Sequence, residues 1–326
     1  MGKAVQVHEY GGPEVMKLEM VDVPNPGPGE VQIRHTAIGL NFIDVYMRTG
    51  LYPLPQLPSG LGLEGSGFIA DVGEGVQGFD VGDRVAYATP PVGAYAELRN
   101  VSPEKLVKLP DAIDDKTAAA MMLQGMTAQY LLRQTYEVKP GDTILMHAAA
   151  GGVGLIVCQW AKHLGATVIG TVGSPEKAEL AKAHGCNHTI LYRDENFKDR
   201  VQDITDGAGV EVVYDSIGKD TFMGGLECLK PRGMMVTYGN ASGPVDEFSP
   251  AILGPLGSLY VTRPTLFSYT HDTASTNAMA NELFDVVQSG KVKIEIHQEY
   301  LLSDIAKAHE DLEARKTTGS TVILPM

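Results

Sequence analysis

The sequence predicts a two-domain α/β protein, with a β-rich domain joined to a doubly wound parallel sheet. Length, a change of texture near residue 117 and one small-residue turn carry that expectation. At 326 residues the chain exceeds what a single hydrophobic core usually serves. Its 44% hydrophobic and 20% charged residues are those of an ordinary globular protein.

Residues 1 to about 115 carry short β-like runs such as "EVQIRHTAIGL" and "GSGFIADVG", broken by Pro- and Gly-rich turns ("PNPGPGE", "YPLPQLPSG"). The one helix expected there lies around 42–48. A linking helix is expected over "AAAMMLQGMTAQYLLRQ". From about 117 strand and helix patterns alternate: "DTILMHA", helix, "TVIGTV", helix, "HTILY", helix, "VEVVYDS", helix, "GMMVTYG". Alternation of that kind predicts a parallel sheet covered by helices. Next come a near-apolar strand "GSLYVTRPTLF", a helix "TNAMANELFDVVQS" and a strand "KVKIEIHQEY". A helix begun by Ser303 and a closing strand "STVILP" complete the chain. The expected domains are 1–125 with 266–326, and 126–265 inserted between them.

The turn lies in "HAAAGGVGLIVCQWAK", residues 147–162. Val153, Ile156, Val157, Trp160 and Leu164 fall at helical spacing, so a helix follows the strand "TILMHA". Measured against GxGxxG, the match is Ala149, Gly151 and Gly154: a tight turn, close backbone approach to a pyrophosphate, and close helix-to-strand packing. The helix N-terminus favours the phosphates. Where an NAD site places an acid at the end of the next strand, Gly173 and Ser174 stand instead. Ser174 caps a helix with Pro175 at its first position, and Lys177 lies one turn in. The missing acid and the lysine point to NADPH, although a solvated surface role for Lys177 is the plain alternative.

Charge and cysteine usage narrow the classes. A formal net charge of −14 argues against a nucleic-acid partner and an anionic membrane surface. No basic segment precedes an apolar one at the start and no run reaches membrane-spanning length, so a cytoplasmic enzyme is expected. Cys158, Cys186 and Cys228 form no CxxC pair, and the nine histidines no HExxH, so no cysteine-rich zinc site is expected.

The run "GDTILMHAAAGGVGLIVCQWAK" resembles the signature of the quinone oxidoreductases and zeta-crystallins of the medium-chain dehydrogenase/reductase superfamily. The resemblance runs from "GEVQIRHTAIGLNFIDVYMRTGLYP" to "TTGSTVILP". It implies a GroES-like β-rich substrate domain, a Rossmann dinucleotide-binding domain, an active cleft between the two, and a homodimer. Where zinc alcohol dehydrogenases carry ligands, Asn41 and Leu63 stand here, so no metal is expected. By the resemblance, Asn41, Tyr46, Tyr52 and Arg263 border the nicotinamide and a small-molecule quinone. Phe42 and Ile43 lie along the nicotinamide, and Thr127 and Tyr130 face the ribose or ring. Gly152 and Val153 meet the pyrophosphate. Gly173, Ser174, Lys177 and Tyr192 surround the adenosine phosphate, with Ser216, Gly239, Asn240 and Ala241 at later strand ends and Arg315 folding back to the cofactor. For Tyr46, Tyr52 and Tyr130 the alternative is packing, for Asn41 a turn, for Arg263 an ion pair, for Arg315 solvation. Two other functions stay open: an NADPH-dependent enal or enone reductase, and a non-catalytic NADPH-binding structural or RNA-binding protein.

Overall fold

The structure is a computed structural model that describes residues 1–325. The first strands are β1 (Gly2–Val7), β2 (Met16–Val21) and β3 (Val31–Leu40), followed by helix α1 (Phe42–Arg48). Five short strands come next: β4 (Ser59–Gly60), β5 (Glu64–Val72), β6 (Arg84–Ala88), β7 (Leu98–Val101) and β8 (Val107–Lys108). Helices α2 (Asp115–Ala119) and α3 (Met122–Tyr130) lead into β9 (Thr143–Met146), α4 (Gly152–His163), β10 (Thr167–Val172) and α5 (Pro175–Ala183). The alternation continues through β11 (His188–Leu191), α6 (Phe197–Ile204), β12 (Val210–Asp215), α7 (Phe222–Glu227) and β13 (Leu229–Thr237). The chain closes with β14 (Tyr260–Thr262), α8 (Leu266–Tyr269), α9 (Thr273–Gln288), β15 (Ile296–Leu301), α10 (Ile305–Glu313) and β16 (Ser320–Leu324).

Two compact units result. The first comprises 1–126, 270–288 and 294–326, the second 127–269 and 289–293. The divisions fall one residue beyond 125, inside α3, and four residues beyond 265. Residues 289–293 join the second unit because the Gln159 amide clamps Lys293: its Nε2 donates to the Lys293 carbonyl and its Oε1 accepts the Lys293 N–H, both at 2.9 Å.

Unit 1 holds a sheet ordered β15-β16-β3-β5-β6-β8, with β7 also on β3, and a small β2-β1-β4 sheet. Its core gathers Ile33, Ile38, Leu61, Ile69 and Tyr87. In unit 2 all six strands run parallel in the order β11-β10-β9-β12-β13-β14. Counting from β9, that is the 3-2-1-4-5-6 order of doubly wound dinucleotide-binding sheets, with the strand order reversing between β9 and β12. Leu145, Ile169, Ile190, Val213 and Phe222 fill its core.

Four expectations need correction. The linking helix is broken into α2, α3 and a wider-wound turn over Leu131–Thr135. The strand expected over 291–300 starts only at Ile296, since the residues before it follow Gln159. The run "GSLYVTRPTLF" is a strand only at Tyr260–Thr262: Ser258 has a left-handed φ of 58°, and Pro264 has no N–H for a ladder. The helix expected from Ser303 starts at Ile305 after a 3-10 turn over Leu302–Asp304.

Candidate functional site

In unit 2, the turn after β9 is tight and packs backbone against backbone. Ala148 takes a left-handed φ of 56°, and the Gly151 N–H closes the turn on the Ala148 carbonyl at 2.9 Å. Ala149 is fully buried, its N–H donating to the Thr171 carbonyl of β10. A Cβ on Gly154 would collide with the Ala148 carbonyl oxygen and lie 2.7 Å from the Ala149 carbonyl carbon, so the helix passes the turn backbone-to-backbone. A Cβ on Gly151 would meet only the Ala148 oxygen, at 3.3 Å, which leaves that side open. Gly151 is the N-cap of the 12-residue α4 and brings no capping side chain. The first N–H groups, those of Gly152 and Val153 among them, thus face outward from a helix start whose dipole favours an anion. These residues fit a dinucleotide pyrophosphate.

At the end of β10, Ser174 caps α5 by accepting the Lys177 N–H at 3.4 Å, with Pro175 first in the helix. Such a cap is worth about 1 kcal/mol. The Tyr192 hydroxyl lies where a Gly173 Cβ would come within 2.8 Å; β10 itself ends without a carboxylate, and the carboxylate nearby is the exposed Glu176 of the first turn of α5, which the Ser174 side chain hydrogen-bonds and thereby holds below its usual pKa. At the ends of β12 and β13, Ala241 N–H donates to Ser216 O at 3.1 Å, and Gly239 packs on Ser216, 2.9 Å from its Cα to a built Cβ. Asn240 closes the same loop, its carbonyl accepting the Gly243 N–H at 2.9 Å. Asp215 organises that junction, its Oδ1 accepting from Ile217 N, Gly218 N and Thr221 Oγ1 at 2.8, 3.2 and 2.8 Å. It is fully buried and went unnoticed in the sequence. Position alone could have signalled it, as the last residue of a central strand.

Tyr130 is buried and stacked on Tyr269, ring centroids 4.5 Å apart and planes 8° off parallel. Its hydroxyl bonds with Thr127, and burial raises its pKa, partly opposed by the Arg263 charge. Thr127, Tyr130 and Arg263 therefore meet in one cluster with Tyr269, which sequence reasoning missed. Arg263 itself is exposed, its Nη1 3.3 Å from the Pro264 carbonyl.

In unit 1, α1 presents Phe42 and Tyr46, and Tyr52 in the loop after it extends the aromatic run: Phe42–Tyr46 centroids are 5.8 Å apart and Tyr46–Tyr52 5.2 Å, edge-on. Tyr46 is buried, whereas Phe42, Ile43 and Tyr52 are half-buried. Asn41 is buried at the head of α1, its carbonyl accepting the Asp44 N–H at 3.0 Å. Its N–H donates to Asp44 Oδ2 at 2.9 Å, its Nδ2 donates to Glu64 Oε2 at 2.6 Å, and its Oδ1 accepts from Gln124 Nε2 at 3.2 Å. The second Nδ2 hydrogen has no protein partner among the described residues. Glu64 also accepts the Leu123 N–H at 2.7 Å, and burial pushes its carboxyl up to about 8.

Behind α1 a directional relay runs to α10. Arg48 donates to His309 Nδ1 at 3.0 Å, His309 Nε2–H to the Tyr95 oxygen at 3.1 Å, and Tyr95 O–H to Asp44 at 2.8 Å, a tautomer fixed by Arg48 having only donors. Burial and the adjacent guanidinium push His309 down to about 3, and burial pushes Asp44 up to about 7. Glu313 pairs with Arg48 at 2.7 and 3.0 Å. None of these residues was singled out in the sequence, since nothing in their spacing announces contacts across the chain. Arg315 follows α10 exposed, with a left-handed φ of 58°.

A β-rich lobe and a 3-2-1-4-5-6 sheet with a glycine turn after its first strand define a dinucleotide-dependent medium-chain dehydrogenase/reductase. Two family models agree: "Alcohol dehydrogenase GroES-like domain" over residues 27–111 and "Zinc-binding dehydrogenase" over 152–282. A quinone oxidoreductase of Pseudomonas aeruginosa is 58% identical, with all of both chains covered. A 2-haloacrylate reductase of a Burkholderia species is 48% identical over 100% of this chain and 99% of that protein. Among solved structures, an Escherichia coli quinone oxidoreductase complexed with NADPH matches with a TM-score of 0.97 and 48% identity, covering 99% of this chain and 100% of the other. The chain belongs to the quinone oxidoreductase family of the medium-chain dehydrogenase/reductases. Zinc, named in one family description, does not fit these residues. Leu63 offers no donor atom, Asn41 is already committed, and among the described residues no three His, Cys, Asp or Glu side chains converge.

Proposed function

We propose that this chain is an NADPH-dependent quinone reductase whose chemistry needs no zinc. The observation that carries this reading is the amide of Asn41: at a position with no cation ligand set stands an N–H with no partner among the described residues. When bound, NADPH supplies the hydride. A quinone is already electrophilic, so what the chain must add is position and a donor toward the oxygen that gains negative charge. Asn41 is the proposed donor, and the mutually tilted rings of Phe42, Tyr46 and Tyr52 are proposed to offer apolar surface to a flat acceptor. Arg263 is the proposed cation for the same developing charge.

Ala149, Gly151, Gly152, Val153 and Gly154 are proposed to hold the pyrophosphate, and Gly173, Ser174, Lys177 and Tyr192 the 2′-phosphate. Ile43, Thr127, Tyr130, Ser216, Gly239, Asn240, Ala241 and Arg315 are proposed to complete the set. Lys177 can meet the phosphate with a charge-assisted bond, which an NAD ribose would not reward.

A second reading has its own support, because one close relative is named a 2-haloacrylate reductase, and a haloacrylate is a conjugated alkene. NADPH oxidation by chelator-treated protein, offered a simple benzoquinone and a medium-length 2-alkenal in parallel, separates the two. Rapid turnover with the quinone alone supports the proposal. Turnover with the alkenal alone replaces it, and loss of quinone activity on chelation overturns the zinc-free part.

We further propose a cytoplasmic homodimer with no nucleic-acid or membrane partner. Among the described residues no helix is long and apolar enough to cross a membrane. Strand β14 lies at the sheet edge with Tyr260 exposed, and an unpaired edge can continue its ladder into a second copy. A monomeric mass by light scattering would remove the dimer.

A further inference from the structure

We infer that Glu64, backed by Gln124 and Ser320, is a positioning residue for quinone reduction: it holds the Asn41 amide in a single orientation, leaving one N–H for the acceptor. The inference rests on the function proposed above and extends it to residues that do not meet the substrate.

An asparagine amide has two nearly isosteric ends, and only its partners decide which end points where. Here both partners vote the same way. The Glu64 carboxylate, which can only accept, takes the Nδ2 end, at 2.6 Å, and the Gln124 Nε2 takes the Oδ1 end, at 3.2 Å. Gln124 is fixed in turn by Ser320, whose hydroxyl lies 2.7 Å from Gln124 Oε1 and 2.8 Å from the Ala120 carbonyl. Glu64 is anchored independently through Leu123 N–H on its other oxygen, at 2.7 Å.

Space for this arrangement is made deliberately in the neighbouring strand. Gly39 faces Glu64 across the β3–β5 ladder, and a Cβ there would lie 2.6 Å from the Glu64 carboxyl carbon. Burying a carboxyl completely is expensive, and an apolar side chain of similar volume would serve the fold at least as well. What an apolar side chain would not do is orient Asn41. A donor misplaced by a small rotation forfeits most of its effect on the reacting oxygen.

The test is a kinetic double-mutant cycle on the full-length protein, with NADPH and benzoquinone, comparing Glu64→Gln, Asn41→Ala and the double variant. With the assay at pH 9, above the value of about 8 to which burial raises Glu64, the carboxylate accepts from both donors, whereas glutamine keeps its size but sets an NH2 against one of them. Glu64→Gln is expected to lower kcat/KM for the quinone about 10- to 100-fold, the usual cost of losing an orienting partner, while NADPH Kd from fluorescence quenching stays within about twofold. The double variant is expected to fall no lower than Asn41→Ala alone. Gln124→Leu, more distant from the acceptor, carries the same test should Glu64→Gln not fold, and its loss is expected in the same direction. Multiplying losses in the double variant would overturn the inference, as would full activity of Glu64→Gln or Gln124→Leu beside a crippled Asn41→Ala. Failure of the underlying function looks different: wild-type protein that binds NADPH yet leaves benzoquinone unreduced, or an Asn41→Ala variant with unimpaired turnover.

Discussion

The phosphate turn of unit 2 and the Asn41 centre of unit 1 are built on opposite plans. Around Ala149, Gly151 and Gly154 the proposed function rests on side chains that are missing, within eight residues of chain, and on backbone N–H groups that any sequence carries. Around Asn41 it is made by side chains that are present, drawn from β5, α3 and β16, with each polar atom held by another. A site of absences is steric and tolerates no additions. A site of partners is electrostatic and tolerates no subtractions.

The sharpest way to break that contrast is Gly154→Val. Its Cβ would enter the Ala148 carbonyl, so a loss of about 3 kcal/mol in stability is expected together with NADPH binding, read by thermal denaturation and fluorescence titration. Retention of both would show the turn to be yielding rather than rigid. Gly151→Ala is the companion test within the same motif. Its Cβ meets only one oxygen at 3.3 Å, so the fold should survive while NADPH weakens about 100-fold (about 2.7 kcal/mol); equal effects of the two substitutions would erase their assigned division of labour.

Lys177→Ala sharpens the electrostatic side of unit 2. A lost charge-assisted bond predicts NADPH binding weaker by about 2 kcal/mol with NADH nearly unaffected, and equal losses for both would sink the 2′-phosphate assignment. A pH comparison probes unit 1. Burial raises Glu64 from 4.5 to about 8, so between those values the folded chain keeps a proton that the unfolded chain has released. The stability this group contributes is full below about pH 4.5 and is lost as pH rises through about 8. Glu64→Gln cannot titrate, so the stability of wild type relative to that variant, measured by urea unfolding, should fall from pH 5 to pH 9; a rising or flat difference would mean the carboxyl is ionised throughout. The smallest effect is expected from Tyr52→Phe, which keeps the ring packed against Tyr46 and removes one hydroxyl. A loss of about 1 kcal/mol in transition-state stabilisation, seen in kcat with quinone and not in NADPH Kd, would keep Tyr52 in the site. Unchanged kcat would assign it to packing.

Legibility followed the same divide. The alternating strands and helices of unit 2 were readable because helix and strand periodicity is a property of neighbouring residues. The glycine turn and the Ser174 cap were readable for the same reason, their partners lying only three to six residues apart. Where tertiary context competed with local pattern, reading failed. The strand expected from Lys291 begins at Ile296 because Gln159, far back in the chain, takes the Lys293 backbone. Asn41 and the tyrosines were named through resemblance, but what holds Asn41 was not, since Glu64 reads locally as one more strand residue.

By itself, then, the sequence determined the fold class, the glycine turn and the Ser174 cap proposed to hold the dinucleotide, because each depends on spacing and sterics within a few residues. Only the tertiary structure decided how the Asn41 amide is aimed. Its chain of partners spans separations of 23, 83 and 196 residues, from Glu64 to Asn41, Asn41 to Gln124 and Gln124 to Ser320. No local pattern records a hydrogen bond across such distances; it exists once the β3–β5 register and the return of β16 have been fixed by the packing of the core.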